Sequence, residues 1–403
     1  MESFNQSRRQ FLRTTVLGSA STLLASNVLA QDTSKKKSQD AAAPMIKRML
    51  GKTGIEIPVV SFGVMRADNP ALITEAMKTG ITFFDTAHAY QGGKNEEMLG
   101  RVLKQYPRKS FFVATKIVPE ETENTTGLLG PASTSKAFLE KLDISLKRLQ
   151  LDYVDILYVH SLTRRESVLH PEMLEAVTRA KKAGKANHVG VSTHRNEPEV
   201  ILAAVESGVY EVVLASINFK QDHYEAIRQA AAKAGEAGVG IIAMKTMAGG
   251  FYDKERTKPI NCKAALKFVL QDKNVTTAIP GITNFDQLAV NASVNHDLEL
   301  TQEEKNDLAG GKSEGSLYCP GCDHCISDCA KKLPVPDIMR AYMYTYGYRD
   351  LAAAQSLLSE LSLPAHPCGE CETCSVKCSQ GFSVADRIKD VVRLNQVPAE
   401  FLS

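Results

Sequence analysis

At 403 residues the chain is long for one domain but ordinary for a barrel carrying an appendage. A hydrophobic content of 43% supports a sizeable core and excludes wholesale disorder. The formal net charge of +2 gives no electrostatic footing for nucleic acid or an anionic membrane as partner.

The first element is an export signal over 1–30. Ser7-Arg8-Arg9-Gln10-Phe11-Leu12 forms a twin-arginine pattern, the uncharged stretch Thr14 to Ala30 follows, and Val28-Leu29-Ala30 fits a small-residue cleavage site. Gly18, Ser19, Ser21, Thr22 and Asn27 make the stretch too weakly apolar for a span of about 20 residues. The expectation is therefore a periplasmic or otherwise exported protein with no stable membrane span after cleavage. A polar linker occupies 31–45.

From 46 to 300, short β-rich runs alternate with amphipathic stretches. Arg48-Met49-Leu50 and Ile55-Glu56-Ile57, around Gly51-Lys52-Thr53-Gly54, read as a hairpin. Strands are predicted to begin near Val59, Phe83, Phe111, Val154, His188, Val212, Gly240 and Thr276. Helical stretches between them include Pro70–Gly80, Ser133–Leu151, Pro171–Lys185 and Asp222–Gly238. Eight such repeats imply an α/β fold, a (β/α)8 TIM barrel. The first loop, Gly63-Val64-Met65-Arg66, lacks the G-x-G-x-x-G of a doubly wound nucleotide fold.

Three consecutive strands end on groups that handle protons: Asp85, Lys116 and His160, with Tyr90 five residues beyond Asp85. Catalytic groups collect at the C-terminal ends of parallel strands. Tyr90 is the candidate acid of a proton-handling constellation, and Lys116, paired with Asp85, would lower its pKa from about 10. His160 can donate a hydrogen bond beside it. A lone Asp before Thr is often only a helix cap, but the four together read as a site. His88 and His194 read as bystanders, although His194 lies at another strand end.

Asp85-Thr86-Ala87-x-x-Tyr90, Asn95-Glu96-x-x-Leu99-Gly100, Ala114-Thr115-Lys116, Ser145-Leu146-x-x-Leu149 with Asp152-Tyr153-Val154-Asp155 and His160, then Gly190-Val191-Ser192 and Ile279-Pro280-Gly281, follow in order. In these motifs the chain resembles the aldo-keto reductase family. The resemblance implies a tetrad of Asp85, Tyr90, Lys116 and His160, a hairpin plugging the barrel bottom, and NADP or NAD as cofactor. It assigns cofactor contacts to Gly63, Met65 and Arg66 in the first loop, to Ser192 and Asn218 for the carboxamide, and to Lys245 near the pyrophosphate. Gly281, Gln287 and Asn291 fall in the loop that, in the family, holds the NADP 2′-phosphate. Gly281 and Gln287 stand where the family has Lys-Ser and Arg, which leaves NAD and NADP both open. Family pockets often use Trp; this chain has none. The implied substrate is a small carbonyl or alcohol, sugar-like among the options. Arg164 and Arg165 are candidates for an anionic substrate group.

After Asn295 cysteines appear as Cys319-x2-Cys322-x2-Cys325-x3-Cys329 and again as Cys368-x2-Cys371-x2-Cys374-x3-Cys378. Three cysteines in a tight loop with a fourth reaching another cluster is the spacing of bacterial-type ferredoxins, so 301–403 reads as a mainly helical iron–sulfur module holding two [4Fe-4S] clusters. Ala330 and Ser379 depart from the usual Pro. Two zinc sites or four disulfides are the competing readings. Pro334 to Pro367 reads as helical, and its tyrosines, Tyr342, Tyr344, Tyr346 and Tyr348, as core packing, with packing over the clusters as the alternative. Cys262 lies outside both motifs.

Clusters pass single electrons and nicotinamide passes a hydride, and no flavin motif is visible to split the pair. The leading expectation is an exported, nicotinamide-dependent reductase. The alternative is an electron-transfer protein that serves a redox partner and uses the barrel as scaffold. A third option is transient oxidation within an elimination or epimerisation.

Overall fold

The computed structural model describes residues 43–313, 317–369, 371 and 373–402. The signal expected over 1–30, and most of the linker, lie outside the described residues.

The chain opens on a hairpin, β1 (Lys47–Met49) against β2 (Glu56–Pro58), with Arg48 opposite Ile57. Eight parallel strands follow: β3 (Phe62–Gly63), β4 (Phe83–Asp85), β5 (Phe112–Ile117), β6 (Val154–Val159), β7 (Ala186–Thr193), β8 (Val212–Ser216), β9 (Gly240–Met244) and β10 (Val275–Ala278). Neighbours pair in sequence order, and bridges from Val60 to Ala278 and from Gly63 to Gly281 join the first strand to the last. This is the expected (β/α)8 barrel. Strands buried on both faces need continuous apolar runs, and all six residues of β6 are buried.

The helices form the outer ring because each carries one apolar stripe. Ser135–Leu149 is typical: Thr134 caps its first turn, accepting from the Ala137 amide at 3.2 Å, and Phe138, Leu142, Leu146 and Leu149 face inward. The hairpin closes the barrel bottom, as the family pattern implies. Leu50, Ile55 and Ile57 pack with the interior residues Phe83, Ile156, Tyr158 and Leu214. Arg48 fixes it there by donating to the carbonyls of Leu270, Asp272 and Val275 at 2.8, 3.0 and 2.6 Å.

Helix Gln302–Ser313 leads out of the barrel and stays attached to it, since Lys267 pairs with its Glu304 at 3.2 Å. The cysteine-bearing region then builds a second core on Val335–Met343, a π-helix over Tyr344–Tyr348, Leu351–Glu360 and Val384–Val391. It is mainly helical, as expected. Among the described residues no helix is long and apolar enough to cross a membrane.

Candidate active site at the barrel mouth

The barrel brings the four tetrad candidates together. Asp85 ends β4, Lys116 lies near the end of β5, His160 follows β6, and Tyr90 begins the turn beyond β4. The Lys116 ammonium pairs with Asp85 and donates to the Thr86 carbonyl at 2.6 Å and to the Tyr90 hydroxyl at 3.3 Å. Burial opposes the charge on Lys116, but Asp85 and Tyr90 outweigh it and hold its pKa above the ordinary value. The Tyr90 and His160 rings meet edge to face at 6.1 Å.

Tyr90 departs from the tuning expected from sequence. Burial raises its pKa by more than Lys116 lowers it, so the phenol rests as an acid. His160 is held well below its ordinary pKa, first by burial and then by Lys116, Arg340 and Lys245. A neutral imidazole results, and its Nδ1 has no partner among the described residues.

The Asn95-Glu96 pair supports this group from behind. Asn95 accepts from the Thr86 hydroxyl at 2.6 Å and donates to the Val64 carbonyl at 2.8 Å. Glu96 accepts from the Thr115 hydroxyl at 2.7 Å. Both carry their motif by fastening the strand ends on which Asp85 and Lys116 sit.

A cleft reaches the tetrad through His194, whose ring lies next to that of His160. Ser216, Asn218 and Lys245 line its barrel side, and Pro336, Arg340 and Met343 line the other. The His194 ring that lines it stands 6.3 Å from that of His160. His88 lies away from the cleft, with its Nδ1 2.9 Å from the Ser145 hydroxyl.

The assigned cofactor contacts divide into two sets. Asn218 faces the cleft, and Asn291 is buried with an Oδ1 that lacks a partner among the described residues. These polar groups fit a nicotinamide dinucleotide, whose amide needs buried polar partners. Ser192 is fully buried, its hydroxyl accepting from the Ser161 amide at 3.0 Å. Gly63 sits on the barrel seam, where a Cβ would meet the Ile279 carbonyl at 2.6 Å. Gly281 is exposed, and Gln287 accepts from the Thr283 amide at 2.8 Å.

Met65, Arg66 and Lys245 are engaged by the C-terminal region. Met65 packs on its core, Arg66 donates to the Tyr348 carbonyl at 2.9 Å, and Lys245 donates to the Tyr344 hydroxyl at 3.0 Å. Two of the tyrosines read from sequence as core packing therefore reach the barrel. Tyr344 and Tyr348 stack at 5.6 Å between Lys245 and Arg66. Arg340, which lines the cleft, and Tyr344, four positions on along the same helical face, are candidates that sequence reasoning missed. A cation on the apolar stripe of Val335–Met343 was the available signal. Arg164 and Arg165 serve the loops, through the Thr126 carbonyl and Glu206.

The cysteines assemble crosswise. Cys319 and Cys325 have Cys322 and Cys378 as electrostatic neighbours, and Cys319 also lines the barrel cleft. A second cavity is lined by Cys368, Cys371 and Cys374 with Cys329 from the other motif. All nine cysteines are free thiols. Among the described residues no three His, Cys, Asp or Glu side chains converge as they would on a single metal ion.

A parallel barrel whose mouth presents a Tyr–Lys–Asp relay beside a neutral histidine defines an oxidoreductase of the (β/α)8 class. Residues 62–264 match the model of the aldo/keto reductase family, and the chain belongs to that family. It is 27% identical over 300 residues to an L-galactose dehydrogenase of Arabidopsis thaliana, covering 65% of this chain and 92% of that one. It is 26% identical over 331 residues to an L-glyceraldehyde 3-phosphate reductase of Escherichia coli O157:H7, covering 67% and 93%. An aldo-keto reductase from Bacillus halodurans in its holo form has the same fold, with a TM-score of 0.55 and 23% identity over 68% of this chain and 98% of its own.

Proposed function

We propose that the protein reversibly reduces the carbonyl of a small aldose-like aldehyde or ketone with a nicotinamide cofactor, Tyr90 serving as general acid. The observation that carries this is the buried relay from Asp85 through Lys116 to the Tyr90 hydroxyl, opening beside His160. A nicotinamide held beside Asn218 would supply the hydride. Tyr90 gives its proton to the developing alkoxide, and Lys116 stabilises the phenolate left behind. The neutral His160 orients the carbonyl oxygen. In reverse, Tyr90 is the base of an alcohol oxidation. The substrate class is supported by the two relatives, named for an aldose and a triose phosphate.

The cysteine motifs form two [4Fe-4S] sites, Cys319, Cys322, Cys325 and Cys378 in one, Cys368, Cys371, Cys374 and Cys329 in the other. The crosswise grouping of free thiols supports this, because cubane ligands spread wider than those around one ion. The twin-arginine pattern supports export of the folded, cofactor-loaded chain.

Anaerobically purified protein is to be assayed with NADPH and NADH against L-glyceraldehyde 3-phosphate, and with NADP and NAD against L-galactose. Turnover that falls by roughly 10²-fold or more in Tyr90→Phe supports the reading. Turnover that survives the substitution overturns it. About eight iron and eight sulfide per chain support the clusters, while zinc overturns them.

A further inference from the structure

Two tyrosine–lysine pairs face one another across the barrel mouth. Lys116 belongs to β5 and Lys245 follows β9, the third and seventh of eight strands, so the lysines stand half a turn apart around the barrel. Each reaches a tyrosine hydroxyl, Tyr90 at 3.3 Å and Tyr344 at 3.0 Å. Each also lies over the ring of that tyrosine, at 4.8 and 4.6 Å. His160 and His194 stand at the ends of the fourth and fifth strands, between the two lysines around the rim.

The pairs are tuned in opposite directions. Lys116 is neutralised by Asp85, and the Tyr90 phenol is held protonated by burial. Burial also opposes ionisation of Tyr344. There Lys245 and Arg340 outweigh it, and the phenol lies below its ordinary pKa. Two titratable groups pushed apart in one site mark an acid and a base. The backbone at Tyr344 and Lys245 is also unusual: Tyr344 opens a π-helix, and Lys245 has a φ of 58°, in the left-handed region that non-glycine residues rarely adopt. Features of both kinds concentrate at functional sites.

We propose that Tyr344, held by Lys245, is a second proton-transferring residue that acts on the carbon adjacent to the substrate carbonyl. The substrate class is an α-hydroxy aldehyde or ketone with a hydrogen on that carbon. The Tyr344 phenolate takes the α-hydrogen as a proton; the C–H electron pair forms the carbon–carbon double bond, and the carbonyl π pair moves to oxygen. Tyr90 gives its proton to that oxygen, so the product is a neutral enediol and no oxidant or reductant is consumed. Lys245 and Arg340 stabilise the negative charge as it develops. Return of a proton to the same carbon from the other face gives the epimer, and return to the former carbonyl carbon gives the isomeric sugar. This inference rests on the carbonyl reading of the same site and adds to it a reaction that needs no hydride.

The test uses the full chain with L-glyceraldehyde in deuterated buffer without nicotinamide, and reads deuterium at C2 by proton NMR against a protein-free control. Wild type is expected to accelerate the exchange, and Tyr344→Phe to slow it by roughly 10²-fold. The ratio of exchange to NADPH-dependent reduction of the same compound should fall at least about tenfold in that variant. Lys245→Met, which keeps the hydroxyl but removes its cation, should lower the ratio in the same direction. No exchange by a wild type that reduces the compound overturns the role of Tyr344 and leaves the reductase reading intact. Equal losses of exchange and reduction in Tyr344→Phe overturn it too, since a structural contact would give that result. Exchange without reduction supports Tyr344 and removes the reductase reading. Absence of both overturns both.

Discussion

Lys116 and Asp85 form an ion pair whose side chains are 1% and 3% exposed, and Tyr90 completes it on the solvent side. Breaking one partner of such a pair leaves a buried charge uncompensated, at a cost of about 3–5 kcal/mol. Asp85→Leu should lose stability on that scale in urea unfolding. Carbonyl turnover should fall with it, because the ammonium beside Tyr90 no longer stays charged.

His88 should make the protein acid-sensitive. Burial, then Arg148 and Lys141, lower its pKa to about 4. Between pH 6.5 and 4 the unfolded chain binds the proton and the folded one does not, so stability falls as pH drops through that window. His160 and His194, both held well below the ordinary value, act in the same direction. Urea midpoints at pH 7 and pH 5 should differ, and His88→Gln should narrow the difference.

Gly100 is fixed by contact. A Cβ there would lie 2.5 Å from the Leu149 carbonyl oxygen and 2.8 Å from that of Arg148, both backbone atoms of the neighbouring helix. Gly100→Ala should cost about 1–3 kcal/mol of overpacking, read as a lowered melting temperature.

Arg195 joins the barrel to the cysteine region. It is 4% exposed, contacts both carboxylate oxygens of Asp323 at 3.1 Å and reaches Asp337 at 3.4 Å. Arg195→Met should raise amide hydrogen exchange across residues 319–343 while leaving β5 protected.

The proposed crosswise ligation of two clusters predicts a distinct signature. Cys329→Ser should remove iron from the site built on Cys368, Cys371 and Cys374, and spare the one on Cys319, Cys322 and Cys325. Iron content should drop by about half, not to zero.

Much of this was legible in the chain. The strands repeat on a local period, and Asp85 ends one, Lys116 lies next to the end of another and His160 follows a third, so position along the strand places them at the mouth. Gly100 stood in the quoted motif, but its reason lies in a helix near position 149. Arg340 and Tyr344 were out of reach for a physical cause. Their meaning comes from contacts made across long separations, 99 positions from Lys245 to Tyr344 and 282 from Arg66 to Tyr348. The burial that opposes Lys116 at Tyr90 is likewise not legible, because spacing shows that a lysine is near and says nothing of how little water remains.

The stack of Arg66, Tyr348, Tyr344 and Lys245 runs from the loop after the first barrel strand to the loop after the seventh. Synthesis therefore delivers the site in instalments. A nascent chain that has finished its barrel holds the Tyr90 relay but has neither Arg340 nor Tyr344. The mouth gains Arg340 and Tyr344 only when the helical region docks, and a chain with a misassembled cysteine region would carry the Tyr90 relay without that stack.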